Sequence, residues 1–374
     1  MGSMEDIAIV GFQGLAYDMM RILVGVLGGV LVALMLVEIF LTFLLPRRVK
    51  RDPRIVRSVF VFGWRPWRAF AQRLPERAAD TMLGIYGPLG LLANLVVWVL
   101  GLMIGFACLE WALHAELHSP HATAFGEDFF FSAASLVSSG TGGLSTHSTG
   151  ARIVQVIDAA SGLAVLTIVI GYLPALFQAF SQREATVSRL DARAGSPPSA
   201  ARLVVRSTQH EDWRALSEYL REWETWVAEL METHLAYPVL GYFRSQHVNQ
   251  SWLAALCTVL DSCALTVAAA PTGTVDPARF TFAIARHAVA DLSYSFRVKP
   301  TPPPRDRLPA DDFAQLLADL RATGVQLGAE PAEIQARLTR TRALYEPYAQ
   351  ALSLALVLPL PPWLAPASAS DNWR

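Results

Sequence analysis

The sequence predicts an all-α membrane protein with three transmembrane helices, one short re-entrant helix between the second and third, and an α-helical domain after the third. Three observations predict it. Mean hydropathy is +0.33 with only 17% charged residues, too apolar for an ordinary soluble chain of 374 residues. Three segments are long and apolar enough to cross a hydrocarbon core of roughly 30 Å, which takes about 20 helical residues. A helix-then-glycine stretch between the last two is too short to cross at all.

The first span is expected at 19–45 and follows an N-terminal stretch, 1–18, that carries Glu5, Asp6 and Asp18 with no base before Arg21. The linker 46–81 is strongly basic: Arg47, Arg48, Lys50, Arg51, Arg54, Arg57, Arg65, Arg68, Arg73 and Arg77 face only Asp52, Glu76 and Asp80. By the positive-inside rule the linker is cytoplasmic, so the N-terminus lies outside and everything after Ser181 inside. The expected location is the cell membrane. Val56, Val59, Phe60 and Trp64 share a helical face, continued by Trp67 and Phe70 beyond Pro66, which predicts an interfacial helix on the anionic inner leaflet. Aromatic belts at two helix ends are the plainer alternative.

The second span is expected at about Met82 to Leu113, the third at about Val154 to Phe180. Gly25-x-x-x-Gly29 and Gly101-x-x-x-Gly105 offer close helix approach. Glu38, Glu110 and Asp158 are ionisable residues in or near spans and need a partner or water.

Between the second and third spans runs Ala124-Phe-Gly-Glu-Asp-Phe-Phe-Phe-Ser-Ala-Ala-Ser-Leu-Val-Ser-Ser-Gly-Thr-Gly-Gly143. Asp128 is a plausible N-cap and Phe129 to Val137 a short helix, followed by an extended run with alternate glycines. Irregular backbone at membrane depth is tolerated only where protein buries it or water lines it, which points to a pore. Glycines at 140 and 142 let successive carbonyls turn toward one axis and replace an ion's hydration shell.

Ser132 to Arg152 resembles the pore loop of two-transmembrane potassium channels, whose filter reads T-V-G-Y-G-D. Without a gap, Ser138 falls on the Thr, Ser139 on the Val, Gly140 and Gly142 on the two Gly, Thr141 on the Tyr, and Gly143 on the Asp. Arg152 then falls on an arginine at the start of the inner helix, and Gly162 on the hinge glycine. The resemblance covers about Met82 to Phe180. It implies a homotetramer whose filter is Ser138, Ser139, Gly140, Thr141 and Gly142, passing a monovalent cation, K+ or Na+. Ser139 and Thr141 replace the Val and Tyr that pack behind such filters, and Ala134 and Gly143 replace a bracing acidic pair, so relaxed selectivity is expected. Within this pore domain, 82–182, Leu163, Leu166 and Ile170 share a face that can gate by dewetting, with Gly171 and Pro174 able to bend the helix.

His114, His118, His121 and His147 lie on the outer side, either as a solvated turret or as a proton or metal sensor. After a linker at 183–206, broken by Ser196-Pro197-Pro198-Ser199, a helical cytoplasmic domain is expected at 207–352. Its first face is Trp213, Leu216, Leu220, Trp223 and Val227. His234, Arg244, His247 and Asn249 form a polar cluster that binds a small anionic ligand, joins two subunits, or is a loop satisfied by its own backbone. Pro300 to Pro304 reads as a further linker, Asp311 to Leu352 as one or two helices, and 353–374 as a tail.

Cys108, Cys257 and Cys263 show neither a disulfide framework nor metal spacing. The near-cancellation of 31 basic and 32 acidic residues gives no reason to expect a nucleic-acid partner. No removable signal peptide, cofactor, resident metal or catalytic grouping is expected. A non-conducting membrane sensor or scaffold with the same pore fold is the alternative function.

Overall fold

The computed structural model describes residues 4–43, 55–113, 125–137, 148–209, 213–247 and 249–366. Among them there are helices and no β-strand, and four helices are long and apolar enough to cross a membrane. These are α1 (Met4–Phe43), α3 (Glu76–Ala112), α5 (Thr149–Ala194) and α8 (Trp252–Ala269). The basic linker contains α2 (Ile55–Ala71), which carries Pro66 inside it. The expected three spans thus become four by length and composition. The fourth differs in kind: 94% of α8 is buried within the protein, against 28%, 39% and 22% for the apolar windows of α1, α3 and α5. A helix apolar all round is buried somewhere, and the helices packed around α8 supply that burial.

The chain divides into two compact units, 1–66 with 88–175 and 67–87 with 176–374. In the first unit, α1 packs on α3 around Val32, Met35, Ile39, Trp98, Leu102 and Phe106. Small residues set how close they come. A Cβ on Gly28 would lie 2.7 Å from both the Cys108 Cβ and the Gly105 carbonyl oxygen, and a Cβ on Gly105 would meet Val32 at 2.7 Å. The glycine stripe therefore joins two helices of one chain, through Gly25 and Gly28 more than through Gly29, whose nearest contact is an ordinary 3.7 Å. Phe60 and Trp64 of α2 are buried, with the Phe60 ring lying on Gly90 of α3. This departs in part from a face laid on lipid: of that face Phe70 is exposed while Phe60 and Trp64 are not, and Phe62 and Arg65, outside it, are exposed.

The second unit is a helical domain around α8. Its other elements are α6 (Ala200–Ser207), α7 (Trp213–Ala236), α9 (Asp276–Ser295), α10 (Ala310–Ala322), α11 (Pro331–Arg342), α12 (Glu346–Leu356) and a 3-10 turn, Pro238–Tyr242. All of α8 except Val267 is buried. The predicted face of α7, Trp213, Leu216, Leu220, Trp223 and Val227, is buried with Trp226 and Leu230. Two expectations change here. Residues 183–206 are no linker, because Val187, Leu190, Ala194, Ala200, Leu203 and Val204 belong to the domain core; only the break at 195–199 is as expected, with Gly195 at φ +81° and Ser199 capping α6. Nor is the stretch from 353 a free tail, since Leu356, Leu358 and Trp363 are buried in the same core. Three helices, rather than one or two, occupy Ala310 to Leu356.

The core of this domain holds ions. Arg307 donates to both oxygens of Asp261 at 2.7 and 3.2 Å and to Glu346 at 3.0 Å, and the Tyr345 hydroxyl also donates to Asp261. Arg342 joins Glu346 to Asp306. A bidentate guanidinium with a tyrosine hydroxyl satisfies the Asp261 carboxylate at zero exposure.

Candidate functional site

The short helix between α3 and α5 is α4 (Phe125–Leu136), 12 residues and about 18 Å long, too short to cross a bilayer. It begins at Phe125, so Asp128 lies inside the first turn rather than at the cap, where a carboxylate still complements the helix dipole. Asp128, Phe131, Ser132 and Ser135 recur at spacings of three and four and form its buried stripe; Phe130 and Val137 point away from it.

That stripe seats on α5. The Ser132 hydroxyl donates to Asp158 Oδ2 at 2.8 Å, and both side chains are fully buried. One turn further, the Leu136 carbonyl lies against Gly162, where a Cβ would stand 1.8 Å from the oxygen. Both contacts join residues 26 apart in sequence, so α4 and α5 advance in the same direction where they touch. The end of α4 therefore sits about 20 Å along α5 from Thr149, at 1.5 Å per residue.

Behind α4 lies Glu110 of α3, fully buried. Among the described residues neither of its carboxyl oxygens has a hydrogen-bond partner, and Asp158 and Asp128 are its electrostatic neighbours. Glu38 is buried on α1. No group of three or more His, Cys, Asp or Glu among the described residues is placed to hold a metal ion.

The residues expected to gate divide between two faces of α5. Gly162 is buried beneath Leu136, whereas Leu163, Leu166 and Ile170 are 61%, 57% and 65% exposed in the single chain, with Pro174 also exposed on the same helix. The expected filter, Ser138, Ser139, Gly140, Thr141 and Gly142, lies outside the described residues, as do His114, His118, His121 and His147.

The polar cluster of the helical domain separates. Arg244 pairs with Asp80 at 2.8 Å and donates to the Val357 carbonyl at 2.6 Å. His247 is exposed, and Asn249 takes the left-handed conformation at φ 62°. His234 is fully buried and meets Arg183, a residue that sequence reasoning passed over. The signal was present: Leu176, Ala179, Arg183, Val187, Leu190 and Ala194 recur at spacings of three and four, so a cation stands in an otherwise apolar stripe. No protein-family model matches this chain, and no curated protein or solved structure matches it.

Proposed function

We propose that this chain is one subunit of a homotetrameric cation channel, with Ser138 to Gly142 as its filter and α5 lining the pore. One observation carries the reading: the parallel seating of α4 on α5 through Ser132–Asp158 and Leu136–Gly162. A helix too short to span, docked pointing along its successor, leaves the chain about 20 Å deep and brings it back to Thr149 for the start of α5. Such a descent and return is what a re-entrant pore loop requires, and in the proposed tetramer the partly negative C-terminal end of α4 would favour a cation dehydrating on the axis.

The apolar exposed face of α5 at Leu163, Leu166 and Ile170 supports a role in lining the conduction path. Four copies around the filter close the ring. The basic segment 46–81, read by the positive-inside rule, supports a helical domain on the cytoplasmic side of the cell membrane with the N-terminus outside. Monovalent cations pass, K+ and Na+ with weak discrimination, because the serines and threonine of Ser-Ser-Gly-Thr-Gly brace the filter less than larger side chains do.

Cation flux into liposomes carrying the purified protein tests this. Flux that Gly140→Asp abolishes, from a particle of four subunits, is the expected result. Silence toward every monovalent cation overturns it and favours the non-conducting membrane sensor.

A further inference from the structure

Among the described residues, the charged groups where His234 meets Arg183 are Arg183 itself and Glu184, which accepts from Arg183 Nε at 2.9 Å. The imidazole Nδ1 lies 2.9 Å from the Leu230 carbonyl, which only accepts, so Nδ1 carries the proton. Its Nε2 lies 3.2 Å from Arg183 Nη1, which only donates, so Nε2 offers its lone pair. The ring is thus neutral and in one tautomer. The same guanidinium donates to Leu240 O and Phe243 O, both at 2.9 Å, and so clamps the 238–243 turn to α5. Phe243 packs on Phe177 and Phe180 of α5, and the Trp252 ring of α8 covers His234 at 5.0 Å.

We infer that His234 is a proton-operated release for this clamp: a proton on Nε2 removes the acceptor and sets two cations in contact, freeing the 238–243 turn from α5. Among the described residues the imidazole faces, from α5, Arg183 with Glu184 beside it; from α7, the Leu230 carbonyl and Thr233 hydroxyl; and from α8, the Trp252 indole, while the carbonyls of the turn face Arg183. Burial first, then the Arg183 charge, pushes His234 well below its usual value, so the clamp is closed at neutral pH and opens in acid. A change in flux on release rests on the channel reading above; the release itself does not.

Hydrogen–deuterium exchange on the full chain in detergent tests it, following the amides of 239–244 between about pH 7.5 and 4.5 with intrinsic rates corrected. The wild type is expected to exchange there about tenfold or more faster at the acid end. His234→Gln, whose amide oxygen still accepts from Arg183 but does not titrate, is expected to stay flat, and Arg183→Gln to exchange fast throughout. A flat wild type, or a His234→Gln variant that follows it, overturns the inference. Nitrogen-15 shifts of the His234 ring in the wild type decide independently of any variant: an Nε2–H tautomer at neutral pH also overturns it. Liposome flux over the same pH range separates the two readings. A wild type that never conducts counts against the channel alone, and a conducting wild type whose flux ignores the exchange transition confines the clamp to the domain.

Discussion

Gly162 receives the Leu136 carbonyl so closely that no side chain fits between them. Gly162→Ala therefore drives a methyl group into backbone, which does not swing aside as a flexible side chain would. The variant is expected to lose about 3 kcal/mol or more of stability, or to lift the end of α4 and stop cation flux. Thermal unfolding in detergent and liposome flux report on it; a variant with unchanged melting and flux would contradict the seat.

Ser132→Ala removes the one side-chain hydrogen bond that Asp158 makes among the described residues and leaves Oδ2 buried without it. The expected loss is about 1–3 kcal/mol. Asp158→Asn keeps an acceptor for Ser132 and takes a carboxyl group away from beside Glu110, so it should lower the melting temperature less than Ser132→Ala does. The reverse order would mean that the Asp158 charge, rather than its acceptor, holds α4.

Asp261→Ala leaves Arg307 buried with one carboxylate fewer. About 3–5 kcal/mol of domain stability should go, seen by tryptophan fluorescence in denaturant. Glu218→Ala breaks an exposed pair with Arg214 and should change stability by less than about 1 kcal/mol.

His234 gives a pH signature. Its folded value is depressed below the unfolded one, so its neutral form stabilises the fold fully above the unfolded value, near pH 6.5, and loses that contribution as pH falls toward the folded value. The wild type should lose up to about 1.4 kcal/mol per pH unit relative to His234→Gln below about pH 6.5, measured as the difference between their unfolding curves. Parallel curves would show that the imidazole is not held neutral.

Much of this architecture is legible in residue order. The three long spans, the amphipathic face of α7 and the short helix before the glycines follow from hydropathy and period alone, and Asp158 announces itself as a buried charge needing a partner. Its partner Ser132 is not legible, because which turn of α4 meets which turn of α5 depends on packing. The stripe that carries α5 on through Val187 and Leu190 is legible as a period of three and four, but that it enters a domain core rather than a linker depends on the helices packed against it. Phe60 looks the same in sequence whether it faces lipid or Gly90; the contact is decided by a glycine 30 residues away. The role of α8 is ambiguous for the same reason: composition gives its hydrophobicity but not its solvent.

That ambiguity has a consequence during synthesis. As it leaves the ribosome, Trp252–Ala269 presents the insertion machinery with 18 residues apolar enough for the bilayer, before its neighbours in the domain have folded. Asp261 stands at its midpoint, where a carboxylate raises the free energy of insertion by about 2.5–3.5 kcal/mol. The same residue finds Arg307 and Tyr345 in the finished domain. One aspartate thus raises the cost of inserting the nascent helix into lipid and then anchors it among charged side chains of the folded domain.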